Sequence, residues 1–317
     1  MLDAIRFVQG SVARKGFVPE LTHFNITNKT IRGFNGHLSL CSPIDFDLDV
    51  SPKAVPFVKA IQSCDETIQL NVTATGRLSI KSGKFRAQIE CLPTDFPEVL
   101  PEGEEVPLTR GIRDVLKKLL PFIAEDASRP WARGILLRGQ SAFATNNINL
   151  VEHWLGYQFP VEINIPRSAV VELVRIGEEP TSLQMTDTSC TFHFPGKRWL
   201  RTNLNSTDWP DVSRVLNMRV PNLKHIPEDL WVGLEKIEPF ADDMGRVYFS
   251  PGMIATGDTE DASSAVQVTG LDGTGVYNIK QMRLLQDVAT RWCFGEGASP
   301  SLFFGENIRG AISGLRG

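Results

Sequence analysis

The chain has 317 residues, 42% hydrophobic and 22% charged, with a net charge of −4 at neutral pH. This is the composition of an ordinary globular protein with room for two or three domains, each burying its own core. It excludes a disordered or strongly basic chain, and no apolar run approaches the ~20 residues that span a bilayer. The five cysteines, Cys41, Cys64, Cys91, Cys190 and Cys293, are scattered without a Cys-x-x-Cys pair. That argues against a disulfide framework and a structural zinc site, and fits a reducing compartment. Met1-Leu2-Asp3-Ala4-Ile5-Arg6 lacks the basic-then-apolar order of a signal peptide, so a cytoplasmic location without membrane contact is expected.

In chain order, Leu2, Ile5, Phe7, Val8 and Val12 have the spacing of a short amphipathic helix that Gly16 and Pro19 stop. Strands are predicted over 24–27 and 30–34 around an Asn28-Lys29 turn, and over 46–50, where apolar residues alternate with Asp47 and Asp49. Ser51 and Pro52 read as N-cap and first residue of a helix carrying Val55, Val58 and Ile61. Strands over 68–72, 77–81 and 85–91 follow.

Thr109 then reads as the cap of a helix with Ile112, Val115, Leu116, Leu119 and Ile123 inward and a basic stripe of Arg110, Arg113 and Lys117 outward. Strands are expected over 134–137, 141–145 and 161–165. Pro166 opens a helix with Val170, Leu173 and Val174 inward and Arg167 and Arg175 outward. Further strands cover 182–186, 191–194 and 199–204. The last third predicts a helix from Ile226-Pro227-Glu228-Asp229 through Leu230, Leu234 and Ile237, and strands over 247–249 and 253–256. A helix with Met282, Leu285 and Val288 comes next, and then a hairpin of 302–304 with 308–312.

One segment is written twice. Thr94-Asp95-Phe96-Pro97-Glu98-Val99 recurs as Thr207-Asp208-Trp209-Pro210-Asp211-Val212, 113 positions later (207 − 94). Ile163-Asn164-Ile165 is echoed by Tyr277-Asn278-Ile279 at a spacing of 114 (278 − 164). A unit of about 110 residues therefore repeats, giving domains 1–104, 105–216 and 217–317. The turn-prone segments 100–105 and 217–222 separate them. Each unit reads helix, strands, helix, strands, an α+β pattern with helices on one side of antiparallel sheets.

Catalytic chemistry has little support. His23, His37, His153, His193 and His225 fall in no HxxxH or HExxH spacing, and Asp242-Asp243 and Asp258 to Asp261 read as solvated acidic loops. The Gly-containing run 269–275 lacks a following Lys-Ser/Thr, so it is no phosphate cradle. The reading is of a non-enzyme with neither cofactor nor metal, and a nucleotide hydrolase is the remote third choice.

In order, Lys81-Ser82-Gly83-Lys84-Phe85-Arg86, Leu92-Pro93-Thr94-Asp95-Phe96-Pro97, Arg129-Pro130-Trp131-Ala132-Arg133-Gly134-Ile135-Leu136, Ala144-Thr145-Asn146, Ile165-Pro166-Arg167 and Trp209-Pro210-Asp211-Val212-Ser213-Arg214-Val215-Leu216 resemble the bacterial sliding clamp, the β subunit of DNA polymerase III, in a shortened form of the kind a phage encodes. The resemblance covers the first two units closely and the third in outline. It implies three clamp domains per chain, each with two helices on antiparallel sheets, closing into a ring as a homodimer. The ring encircles double-stranded DNA without reading sequence, is placed by a clamp loader, and tethers a replicative DNA polymerase. A locally basic inner face is compatible with a net acidic chain.

The resemblance puts Arg110, Arg113, Lys117, Arg167 and Arg175 toward DNA, adds Lys15, Arg129 and Trp131 by position, and adds Lys53, Lys59, Lys280, Arg283 and Arg291 as weaker members. It puts a partner-peptide pocket at Ala132, Thr145, Asn147, Leu150, Pro210, Arg214, Val215, Ser313 and Leu315. The chain departs from the family there: Asn147-Ile148-Asn149 replaces Gly-His-Arg, and Ser313-Gly314-Leu315-Arg316-Gly317 replaces a Met-rich end. Without the resemblance, the basic stripe is a solvated helix face and Trp131 a packing residue at a turn. The alternative function is a clamp-like peptide-binding regulator that does not encircle DNA.

Overall fold

The computed structural model describes residues 1–13, 15–93, 96–126, 128–258, 262–295 and 299–315. Thr94 and Asp95 of the first repeated segment, 259–261 of the acidic loop, and the terminal Arg316 and Gly317 lie outside them. The described helices are α1 (Leu2–Val8), α2 (Ala54–Gln62), α3 (Arg113–Leu119), α4 (Arg167–Ile176), α5 (Ser213–Leu216), α6 (Asp229–Ile237) and α7 (Ile279–Arg283). The chain divides into two compact units, Met1–Arg113 with Ser168–Leu204, and Asp114–Arg167 with Asn205–Gly317.

The first unit is built on a seven-stranded antiparallel sheet. Its spatial order is Phe24–Thr27, Thr30–Phe34, Leu38–Pro43, Arg198–Asn203, Ser189–Phe194, Ser182–Met185, Glu104–Pro107. Asn28 and Lys29 both take positive φ, 49° and 55°, which gives the first hairpin the twist its strands need. α1 lays Ile5, Phe7 and Val8 on this sheet, all buried, and Phe7 meets Phe194 edge-on with ring centroids 5.5 Å apart. α2 buries Ala54, Phe57, Ala60 and Ile61. Each such large apolar side chain contributes about 1.5–3 kcal/mol. A second sheet of three strands runs Gln69–Val72, Leu78–Ser82, Phe85–Ile89.

The second unit repeats the plan. Eight antiparallel strands run Ile163–Pro166, Gly134–Arg138, Ser141–Thr145, Asn149–Trp154, Ile308–Ile312, Ser301–Gly305, Arg291–Cys293, Lys224–His225. A four-stranded sheet has the order Ala265–Gln267, Met253–Ala255, Arg246–Ser250, Gly275–Asn278. α6 turns Leu230, Leu234 and Ile237 into the core, and Ile279 and Met282 of α7 join them. Both units are helices on antiparallel sheets, the α+β class read from the sequence.

Several predicted elements need correction. Residues 46–50 form no strand: only Val50 pairs, in a lone bridge to Ile26. The strand is Leu38–Pro43 instead, buried at five successive positions, so it shows no alternation to read. Thr109 does not cap α3. The Glu179 carboxylate does, accepting the amides of Ile112 and Arg113 at 3.0 and 3.2 Å, a cap supplied from 66 residues away that no local pattern can show. Arg110 consequently precedes the helix, and the basic stripe is not a helical one. Ser51 makes no cap for α2; Lys53 holds that position. Glu104 and Glu105, expected in a linker, are paired to Met185 and Gln184 at the sheet edge. The strands Asn149–Trp154 and Arg291–Cys293 were not anticipated.

The cysteine reading has a chemical counterpart. Burial pushes the Cys41 thiol up to about 11, against a smaller opposing effect of Arg32. The fully buried Cys190 is driven further in the same direction. Since the thiolate is the nucleophile, folded protein at pH 8 should leave Cys41 and Cys190 unalkylated by iodoacetamide over an hour. Both should react fully in urea, as read by peptide mass spectrometry.

Candidate partner-peptide pocket and DNA-facing cations

The second unit gathers most of the predicted pocket residues around one turn. Thr145 ends a strand and pairs with Leu150 across it. Between them Asn147 takes φ +72°, a conformation asparagine tolerates better than most residues. Thr145 Oγ1 donates to Asn149 O at 2.7 Å and accepts the Asn147 amide at 3.1 Å. Asn146 Oδ1 accepts the amides of Ile148 and Asn149 at 3.2 and 2.8 Å. The turn is therefore fixed by its own side chains before anything else touches it.

Two further contacts anchor it. Gln281 of α7 accepts from Asn146 Nδ2 at 2.6 Å and from Asn149 Nδ2 at 2.9 Å through its Oε1. The Ser313 amide donates to Ile148 O at 2.9 Å, which sets Ser313 beside the turn, and Leu315 is tied to Val276 O at 2.7 Å. On the neighbouring strand Leu150 faces Ala311. Ala311 belongs to an apolar cluster with Leu302 and Cys293, on which Val215 and Met218 pack. Leu150 and Val215 thus border the same patch. The Ala124 amide reaches both Ala132 O and Thr145 O at 3.1 Å, bringing those two positions together. Ala132 is fully buried and Thr145 nearly so. Asn147, Pro210, Arg214 and Ser313, by contrast, are exposed.

The Asp-Trp-Pro-Asp segment, the second copy of the repeat, is anchored in the same unit. Trp209, only 8% exposed, packs edge-on against Trp131 with centroids 5.0 Å apart and leans on Phe143 at 6.4 Å. Its indole N–H donates to Trp131 O at 3.0 Å. Asn164 Nδ2 donates to the same carbonyl at 2.8 Å and to Ser206 O at 2.7 Å. Gly134 is required beside it, because a Cβ there would stand 2.4 Å from Asn164 Oδ1. Asp211 then accepts the Ser213 amide at 3.0 Å and so starts α5. The Ser213 hydroxyl and amide hold the Asp211 carboxyl below its ordinary range.

Sequence reasoning missed Gln281 and Asn149, the clasp of the turn, and gave Trp209 no more than a place in a motif. Asn149 is completely buried, which nothing in an Asn-Asn-Ile-Asn run announces. The echo of Asn164 in Asn278 was a usable signal. Asn278 Nδ2 donates to Met244 O at 2.8 Å, its Oδ1 accepts the Gln281 amide at 3.1 Å, and Gly245 lies against it at φ +64°. A glycine facing a buried or half-buried asparagine recurs in both repeats.

The predicted DNA-facing residues differ in exposure. In the first unit Lys15 and Lys53 are exposed, as is Arg110. Arg113 Nη1 donates to Gly177 O. Arg175 donates to Arg6 O and Phe7 O, both at 2.8 Å, and pairs with Glu172 at 2.6 Å; it closes the C-terminal end of α1. In the second unit Lys117, Arg129 and Lys280 are exposed. Arg167 pairs with Glu125 at 2.9 Å, and Arg283 with Glu238. Trp131 is half-buried against Trp209. Among the described residues no cluster of three or more His, Cys, Asp or Glu side chains could hold a metal ion. None of the described helices is long and apolar enough to cross a membrane.

Helices packed on repeated antiparallel sheets place the chain among the DNA-clamp folds of the α+β class. Within it, the chain has the fold of the bacterial DNA polymerase III β sliding clamp. The sliding clamp of Caulobacter crescentus matches with a TM-score of 0.85 at 17% identity, over 100% of this chain and 97% of that one. The Bacillus subtilis sliding clamp matches at 0.80 and 17%, over the same shares. A Pseudomonas aeruginosa sliding clamp bound to griselimycin matches at 0.80 and 16%, again over 100% and 97%. No protein-family model and no curated protein matches the sequence.

Proposed function

We propose that the protein is a replication processivity factor, a non-enzymatic DNA sliding clamp. The observation that carries this reading is the agreement of the entire chain, end to end, with β sliding clamps. Lys15, Lys53, Arg110, Lys117, Arg129 and Lys280 present exposed positive charge, which supports diffuse contact with phosphates. Arg113, Arg167, Arg175 and Arg283 are engaged by carbonyls or carboxylates, so in this reading they shape the helices and add to the local field. The three-domain division 1–104, 105–216 and 217–317 belongs to the same proposal.

Ring closure has a physical basis in two unguarded edges. The strand Gln69–Val72 ends the three-stranded sheet and Ala265–Gln267 ends the four-stranded one. Neither carries a charge, a proline or a glycine, although exposed edges normally do. In a head-to-tail dimer the first edge of one copy would continue the second edge of the other. The turn at Asn147, with Leu150, Pro210, Arg214, Val215, Ser313 and Leu315, serves in this reading as the pocket for client peptides of the polymerase and the loader. Griselimycin, bound by a Pseudomonas aeruginosa clamp of this fold, is the probe for it.

The test uses nicked circular plasmid, a bacterial clamp loader and ATP, followed by gel filtration. The protein is expected to stay with the plasmid at high salt and to be released when the plasmid is linearised. Release that does not depend on cutting the circle would overturn the ring.

A further inference from the structure

Leu150, Glu152 and Trp154 alternate along the strand Asn149–Trp154, so they share one face of the eight-stranded sheet. Leu150 borders the pocket described above. At the other end of the same row lies a cavity of about 340 Å³ lined by Glu152, Trp154, Gly305, Asn307, Ile308 and Arg309. We propose that this cleft is a second anchoring site for the client segment, taking an apolar and preferably aromatic side chain. The proposal rests on the reading of the first pocket as a peptide site.

Trp154 has no structural reason to be a tryptophan. It is 52% exposed, and its indole N–H makes a long hydrogen bond of 3.3 Å to the exposed Gln140 side chain. A half-bare indole beside a cavity is the typical anchor of a binding surface.

The other walls are rigid. Arg309 Nε is bound to the Glu152 carboxylate and its Nη1 to Asn217 Oδ1 at 2.9 Å. Glu152 also accepts the Ser141 hydroxyl at 2.7 Å. The floor is the hairpin turn from Gly305 to Ile308, held by the Trp154 amide on Asn307 O at 2.8 Å. Only glycine fits at its first position, because a Cβ on Gly305 would stand 1.9 Å from Val288 O.

The register explains the preference. Glu152 pairs with Arg309 and His153 with Ile308, so Trp154 comes opposite Asn307 and Arg309 is its diagonal neighbour. Diagonal neighbours lie about 7–8 Å apart, room for one flat side chain between indole and guanidinium. Both of these faces attract an aromatic ring.

The occupant follows from continuity. Leu150 and Trp154 are four residues apart, about 13 Å along an extended strand. One extended peptide can therefore fill the pocket and, about four residues on, the cleft. Joining the two contacts in one chain raises affinity without demanding a strong second site.

The experiment selects random twelve-residue peptides displayed on phage against the intact protein, then shortens them from each end. Binding is measured to wild type, to Trp154→Ala and to Ser313→Trp, which blocks the mouth of the first pocket. Selected peptides should carry an aromatic or apolar residue about four positions from the segment sensitive to Ser313→Trp. Removing that residue, or Trp154, should weaken binding about tenfold or more, and doing both should cost no more than either alone. Shortened peptides should bind Trp154→Ala as they bind wild type, and the variant should melt at the wild-type temperature. Equal affinity of full-length peptides for Trp154→Ala and wild type would overturn the cleft while leaving the pocket standing. Peptides indifferent to Ser313→Trp would overturn the pocket, and the cleft with it.

Discussion

Replacing Trp209 with alanine should lower the unfolding free energy by about 3–5 kcal/mol, the usual cost of deleting a buried large aromatic side chain. Three losses coincide. The void left between Trp131 and Phe143 removes two aromatic contacts. The Trp131 carbonyl loses one of its two donors, keeping Asn164 alone. The junction that leads into α5 loses the anchor that precedes it. Urea unfolding followed by circular dichroism measures the change. Trp209→Phe should recover most of it, because the packing outweighs a single net hydrogen bond of about 0.5–1.5 kcal/mol. A loss below 1 kcal/mol would show that the segment is surface decoration.

If the proposed head-to-tail dimer forms, charging the two open sheet edges should split it. Val72 is 46% exposed on the outer strand of the three-stranded sheet, and Val266 lies on the outer strand of the four-stranded one. An unpaired charge forced into a joint between strands costs several kcal/mol unless a partner neutralises it. Val72→Lys protein and Val266→Glu protein should each sediment at half the wild-type mass at micromolar concentration. A one-to-one mixture should regain the full mass, because one joint then combines Lys with Glu and the other keeps both valines. Restoration on mixing separates an edge-to-edge ring from a variant that simply fails to fold. If wild type itself sediments as a single chain, the ring is wrong.

The legible part of the fold was the part governed by local rules. The Asn28-Lys29 hairpin, the three strands after α2, the start of α6 and the final hairpin all follow from alternation, turn chemistry and helical periodicity, and their predicted bounds lie close to the observed ones. What escaped notice depends on distant partners. The central strand Leu38–Pro43 is buried at five successive positions and carries no period, and the cap on α3 comes from Glu179. The candidate site was legible only through the resemblance, which supplied Thr145, Asn147 and Leu150 by position; it did not supply Gln281, which reaches their turn from 132 residues away. Arg175 looks like a solvent-facing cation on a helical wheel. In the folded protein it closes the end of α1.

The seven-stranded sheet also sets a timetable. Leu38 pairs with Thr202 and Cys41 with Trp199, so the centre of that sheet is completed by residues about 160 positions later in the chain. A ribosome adding about 5–20 residues per second takes on the order of ten to thirty seconds to cover that distance. Through this interval the strand Leu38–Pro43 has one long edge without its partner. Such an edge invites pairing with a neighbouring nascent chain. The yield of folded protein in a cell is therefore expected to rise with slower synthesis at lower temperature, or with a chaperone that covers the waiting edge.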